Sequence, residues 1–228
     1  MSLSYAHPSL CSHIYTEVEK PCQHLIRQNF FKQRCNYKYW FKESIMSGTV
    51  YKDIVTQKQC FTVAKKMVQL KNENKLNAEG HNYDAHYYYN SFGSCNLPEA
   101  LDLLSTIDPI IKRDHPNLRF ENCYTRIYQN GSTLRYHTDR PELYLTLSLC
   151  MFSNITTEWP LYVSNVLYYG LWRETEPFEK YAADCTAYIT PPGTGVTCYG
   201  LTHPHWREKL KCADDQMVIQ TFYHWNMA

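Results

Sequence analysis

The sequence predicts a mainly β fold with helices ahead of it, built around a jelly-roll core. Three observations carry this expectation. From about Leu118 onward, short β-branched and aromatic runs alternate with turn signals, and no helical pattern intervenes. Before that point, two stretches place apolar residues at helical spacing. A His-x-Asp pair in one β run is also matched by a distant histidine in another, and a jelly roll brings such residues together at its mouth. The expected layout is a single domain over 1–228. Within it, residues 1–117 form a helical or irregular support region and residues 118–228 form the jelly-roll core. A chain of 228 residues is long enough for one sizeable core.

The elements follow in order. Residues 1 to about 50 mix Cys, His and aromatics with no clean period and receive no assignment. Residues 51–76 carry Ile54, Val55, Phe61, Val63, Ala64, Met67, Val68 and Leu70, which suits a helix ending in the polar stretch Lys71–Lys75. Residues 80–96 read as loop or strand, with Tyr87, Tyr88 and Tyr89 as aromatics for a cleft or for the core. Pro98 opens a second helix with an apolar stripe of Leu101, Leu104, Ile107 and Ile111, and Pro109 is expected to bend or interrupt it. The strand runs are ENCYTRIYQ, LYLTLSLCMF, PLYV, CTAYIT, GVTCYG and MVIQTFYHW. Asn130-Gly131 and Pro191-Pro192-Gly193 are turn signals between them. Residues 164–183, long and aromatic, suggest a lid or an insertion.

Composition narrows the function classes. The formal net charge is +1 and no basic run appears, so binding by phosphate neutralisation is not indicated and nucleic acid is the least favoured partner. No apolar segment approaches the ~18 residues of a membrane span, and the start MSLSYAHPSL lacks a secretory pattern. The expectation is a cytoplasmic protein whose 10 cysteines are free thiols. Cys123, Cys150, Cys185 and Cys198 sit in strand runs and read as small buried residues. Cys11-Ser12-His13 and Cys22-Gln23-His24, with Cys35, do not fit the spacing of a structural zinc site.

The chemistry concentrates in two segments. His137 and Asp139 are two residues apart, so on a strand they point to one face. His205 can complete a set of two imidazoles and one carboxylate, which binds one face of a divalent iron and leaves the other positions open. The alternative is bland: a capping or core histidine, and an aspartate turning the chain before Pro141.

The first segment, Tyr128-Gln-Asn-Gly131 through His137-Thr-Asp139-Arg140-Pro141, resembles the 2-oxoglutarate and Fe(II)-dependent dioxygenases, particularly the prolyl 4-hydroxylase-like branch. Tyr128, Gly131, His137 and Asp139 meet four positions of that motif, while Leu134 stands where a second tyrosine is usual. The second segment, Pro191-Pro192-Gly193 through Tyr199-Gly200 to His203-Pro204-His205-Trp206-Arg207-Glu208, resembles the family's turn, strand and distal histidine. The likeness covers about residues 120–225 and implies a double-stranded β-helix, cupin-like, as the catalytic core. It also implies Fe(II) as metal, 2-oxoglutarate as co-substrate and O2 as oxidant.

The resemblance makes His137, Asp139 and His205 the metal ligands and catalytic set. His205 is preferred to His203 because it directly precedes the Trp-Arg pair. The lysine that usually holds the far carboxylate of the co-substrate is missing, and Gln216 or Gln220 stands in the matching strand. Arg207 is the expected substitute, with Tyr128 as hydroxyl donor and Gln220 alongside. A surface ion pair of Arg207 with Glu208 or Glu174 is the competing reading. Trp159-Pro160-Leu161-Tyr162-Val163 replaces a Gly-Gly-containing strand, which weakens any transfer of substrate. The implied activity is hydroxylation of an unactivated C–H bond, on a peptidyl proline or other amino-acid residue, or on a free amino acid or other small molecule. A zinc hydrolase with the same ligands, or a non-catalytic metal-binding module, are the alternatives.

Overall fold

The runs past Leu118 become antiparallel strands, and one long strand ties two sheets together. In the computed structural model the described residues are 47–79, 88–168 and 178–228. They all belong to one compact unit, Ile45–Ala228. The Cys/His motifs of residues 11–35, Tyr87 and residues 169–177 of the segment expected as a lid or insertion lie outside the described residues.

Strand β1 spans Thr49–Tyr51 and was not expected from the sequence. Helix α1, Gln57–Asn72, starts after a capping box: the Gln59 amide donates to Thr56 Oγ1 and the Thr56 amide donates to Gln59 Oε1. It buries Cys60, Val63, Ala64 and Met67 and leaves Phe61 at the surface. A hairpin of β2 (Asn77–Glu79) and β3 (Tyr88–Cys95) follows.

The second predicted helix is two. Helix α2 covers Pro98–Leu101 and helix α3 covers Leu104–Asp114. The break falls at Asp102–Leu103 and not at Pro109, which sits inside α3. Ser105 and Pro109 are both exposed, so the Ser105 carbonyl that loses its partner can turn to water. The buried stripe is Leu97, Ala100, Leu103, Ile107 and Ile111, one position off the expected one at Leu104.

Strand β4 is 20 residues long, Leu118–His137. Then come β5 (Leu145–Ser153), β6 (Leu161–Ser164), the short helix α4 (Phe178–Ala182), β7 (Cys185–Tyr188), β8 (Gly195–Cys198), β9 (His205–Arg207) and β10 (Val218–Met227). The pairing order is β1-β8-β5-β10-β4-β9-β6-β7, with β3 on the other side of β4. The first half of β4 pairs with β10 and its end pairs with β9. One sheet is therefore β1-β8-β5-β10-β4, extended by β3 and β2 beyond β4, and its partner is β4-β9-β6-β7. These are the two sheets of a jelly roll.

Asn130-Gly131 does not close a hairpin, as its composition suggested. It lies within β4, where Gly131 takes φ +86°. Its amide donates to the Leu210 carbonyl, and the strand crosses here from one sheet to the other. Pro191-Pro192-Gly193 is a turn, with Gly193 at φ +88°.

The alternation of β10 separates two jobs. Tyr223 and Trp225 face the helices: the Tyr223 hydroxyl donates to the Ala100 carbonyl at 2.7 Å and the Trp225 indole to Asp108 at 2.8 Å. Gln220, Phe222 and His224 take the opposite face, inside the roll. Leu134, Leu161, Val163, Val196 and Cys198 fill the space between the sheets. Cys123, Cys150 and Cys198 are buried free thiols, and Cys185 is half-buried.

Candidate metal and co-substrate site

Register places the first pair. His137 on β4 lies directly opposite His205 on β9, and Leu134 lies opposite Arg207. The two imidazole centroids are 4.3 Å apart. Asp139 follows the end of β4, where its amide donates to the Gly200 carbonyl at 2.7 Å. One oxygen, Asp139 Oδ1, lies 3.7 Å from Nε2 of His137 and 3.7 Å from Nε2 of His205. Among the described residues this is the one group of metal-ligand side chains that converges, with its donor atoms within 4.8 Å of one another.

Hydrogen bonds decide which atoms face inward. Nδ1 of His137 donates to the Arg135 carbonyl at 2.8 Å, and Nδ1 of His205 donates to the His203 carbonyl at 3.0 Å. A carbonyl can only accept, so each Nδ1 carries a proton and each Nε2 is the ring nitrogen turned toward Asp139. On Asp139, Oδ2 accepts the Thr146 hydroxyl at 2.6 Å, which leaves Oδ1 as the inward oxygen. Gly200 lets this corner close, because a Cβ there would run into the Asp139 carboxylate. Two imidazole nitrogens and one carboxylate oxygen form a donor set suited to a divalent first-row metal, so the residues present fit such an ion.

Charge is arranged for a cation. Burial and the neighbouring His205 pull His137 down to about 3, so its ring is neutral at neutral pH. Burial pushes the Asp139 carboxyl up. His205, His137, His224 and the Thr146 hydroxyl outweigh it and hold the group below the ordinary carboxylate value. His203 and His224 are lowered to about 4, both chiefly by burial. A neutral His137 imidazole and an ionised Asp139 carboxylate are the protonation states in which these groups ligate metal.

Arg207, two residues beyond His205, is 2% exposed. Its Nη1 donates to the Trp159 carbonyl at 2.7 Å and its Nη2 reaches Ser148 Oγ at 3.5 Å. The guanidinium carbon lies 4.8 Å from the Trp159 ring centroid, and Nε is buried with no hydrogen-bond partner among the described residues. No carboxylate pairs with it among the described residues. The alternative partner Glu208 instead accepts from the Trp206 indole at 3.3 Å. Glu174 lies outside the described residues. Tyr128 is fully buried, its ring edge-on to Trp159 at 4.9 Å. Gln220, 1% exposed, accepts from Ser148 at 3.4 Å. The structure thus brings Tyr128, Arg207 and Gln220 to one wall, with Ser148 between the last two.

His203 does not join the trio. Its backbone carbonyl orients His205, while its own ring turns to Thr202 and Tyr199. Leu134, at the position of the missing tyrosine, packs into the core opposite Arg207. Sequence reasoning missed Thr146, Ser148 and His224. The signal was present: in LTLSL, polar residues two apart inside an apolar run mark a strand face turned to something polar.

No protein-family model matches the chain, and no curated protein matches it in sequence. Solved structures do match its fold. A prolyl-4-hydroxylase from Pseudomonas putida superposes with TM-score 0.54 at 14% identity, over 80% of this chain and 93% of its own. SnoN, a non-heme alpha ketoglutarate dependent epimerase from nogalamycin biosynthesis, gives 0.58 at 10% identity, over 78% and 76%. HygX from Streptomyces hygroscopicus, with nickel, 2-oxoglutarate and hygromycin B bound, gives 0.56 at 12% identity, over 78% and 82%.

Proposed function

We propose, starting from the jelly-roll fold that this chain shares with 2-oxoglutarate and Fe(II)-dependent oxygenases, that it is itself such an oxygenase and hydroxylates an unactivated C–H bond. The observation that carries the reading is a pairing of two features on one short strand. His205 of β9 faces His137 and Asp139, and Arg207 of the same strand is a buried guanidinium with no carboxylate beside it among the described residues. A metal trio explains the first feature, and a bound dicarboxylate explains the second.

In this reading His137, His205 and Asp139 hold the ion through Nε2, Nε2 and Oδ1. Arg207 holds the far carboxylate of 2-oxoglutarate, the Tyr128 hydroxyl donates to it, and Gln220 lies alongside. Trp159 holds the guanidinium twice, through its ring, 4.8 Å from the guanidinium carbon, and through its carbonyl, which accepts from Nη1. When bound, iron with 2-oxoglutarate and O2 supplies an oxidant that removes hydrogen from C–H, with the keto acid decarboxylated to succinate. Thr146 and the carbonyls of Arg135 and His203 keep the three ligands aimed, so little reorganisation is needed on binding. The prolyl 4-hydroxylase resemblance puts an amino-acid residue first among substrates, with a small molecule as the second class.

The test is anaerobic addition of Fe(II) and 2-oxoglutarate, read as a metal-to-ligand charge-transfer band, followed by succinate release on admitting oxygen. We expect both in the wild type and neither in His137→Ala or Asp139→Ala. Full succinate turnover in those two variants would sink the assignment. Turnover of a substrate without oxygen would instead favour a hydrolase.

A further inference from the structure

The inward face of the first sheet carries one more imidazole. His224 on β10 lies opposite Thr146 of β5 on one side and opposite Asn122 of β4 on the other. Residues directly opposite each other across an antiparallel pair share a face. Thr146 is the hydroxyl that donates to Asp139 Oδ2 at 2.6 Å. His224 is therefore the cross-strand neighbour of a side chain that touches the metal set, on the face that the set occupies.

His224 is anchored as the two ligand histidines are. Its Nδ1 donates to the Asn122 carboxamide oxygen at 2.7 Å, as those of His137 and His205 donate to backbone carbonyls. The ring is 8% exposed. Its Nε2 is not part of the converging trio. That nitrogen has no hydrogen-bond partner among the described residues, and it still touches open space. A polar atom inside a roll costs free energy unless something pairs with it. Nδ1 carries the proton and burial keeps the ring neutral at neutral pH, so Nε2 can only accept. The co-substrate proposed above cannot supply the donor. At neutral pH 2-oxoglutarate carries two carboxylates and a ketone, and all of them accept.

We propose that His224 is a substrate-binding residue, and that its Nε2 accepts an N–H or O–H of the molecule that reacts at the trio. The substrate is accordingly one with a hydrogen-bond donor close to the carbon that reacts, such as an amide or an alcohol, and not a purely apolar or acceptor-only molecule. This rests on the oxygenase reading, and it narrows that reading to a substrate class. A site built around a buried acceptor discriminates against ligands that lack the donor, because the acceptor is then left unpaired.

The probes are two amides that differ by one donor: N-methylacetamide has an N–H and N,N-dimethylacetamide has none. Each is titrated into Mn(II)-loaded protein saturated with 2-oxoglutarate, and relaxation of its methyl protons by the metal reads binding beside the trio. Wild type should bind N-methylacetamide about three- to tenfold more tightly, the size of one neutral hydrogen bond. His224→Phe should bind the two alike, with its affinity for 2-oxoglutarate unchanged. His224→Gln, which restores an acceptor, should keep a preference. It decides the matter if His224→Phe melts lower, and the absence of any preference in it then overturns the proposal. Equal binding of the two amides by wild type overturns it, and so does a preference that survives in His224→Phe. A loss of 2-oxoglutarate affinity in both variants also overturns it, because His224 then serves the co-substrate. Nitrogen NMR of the histidine rings in metal-free protein keeps the two readings apart. If wild type takes up no metal and no 2-oxoglutarate, the oxygenase reading fails. A shift of the His224 Nε2 signal on adding N-methylacetamide then still upholds the acceptor, and no shift overturns it.

Discussion

Asp139 shows how much of the site depends on single hydrogen bonds. Thr146 takes one of its oxygens and the backbone of Gly200 takes its amide, so the remaining oxygen can point only at the two imidazoles. Arg207 carries the sharpest residue-scale expectation. Replacing it with Met removes charge-assisted bonds to a carboxylate and should raise KM for 2-oxoglutarate by roughly ten- to a hundredfold. The metal stoichiometry should be unchanged, as measured by metal analysis beside the kinetics. The buried histidines give a second. His137 is held at about 3 and His203 and His224 at about 4, below the ordinary 6.5 of an unfolded chain. Between pH 6.5 and about 4 the unfolded state therefore binds protons that the folded state refuses. The metal-free protein should lose stability as pH falls through this window, by up to about 1.4 kcal/mol per pH unit for each histidine. Denaturant melts at a series of pH values measure the slope, and His224→Asn should make it shallower. At this scale the sequence already showed His137, Asp139 and His205, because residue type and spacing carry ligand chemistry. It did not show Thr146 or His224, whose part depends on which strand lies beside Asp139.

At the scale of elements, β4 does the joining. Its first half pairs with β10 and its last residues with β9, so one strand belongs to both sheets and delivers His137 to the seam. The crossing is made at Gly131, whose φ of +86° suits a residue without a side chain. Gly131→Val forces a β-branched residue into that region and should cost about 1–2 kcal/mol or more. Thermal melting of the variant checks the loss, and weaker metal binding should accompany it, since the end of β4 shifts with the crossing. The Asn-Gly pair was legible as a special backbone position, but its meaning was not. The same dipeptide closes a hairpin when the strands on either side pair with each other, and here they pair with β10 and β9 instead. Pro109 taught a similar lesson. Its missing N–H costs less when the freed carbonyl can reach water, and exposure of Ser105 provides that.

At the scale of the molecule, the jelly roll converts distance in sequence into proximity, bringing His137, Asp139, Thr146, Ser148, His205, Arg207, Gln220 and His224 toward one interior face. Binding to a folded site must stabilise the fold. Adding Fe(II) anaerobically, then 2-oxoglutarate, should raise the melting temperature in two steps, each worth about 2.7 kcal/mol at a hundredfold excess over Kd. His137→Ala should abolish both steps and Arg207→Met only the second, as scanning calorimetry would show. The order of β runs, the strand-rich second half and the three ligand-type side chains were determined by the sequence itself, because alternation and donor chemistry are local properties. The tertiary structure alone decided which nitrogen of each imidazole faces inward, and that Arg207 is buried without a carboxylate among the described residues. Those facts depend on which strand lies beside which, and strand partnership is set by the packing of the whole roll and by no single segment of it.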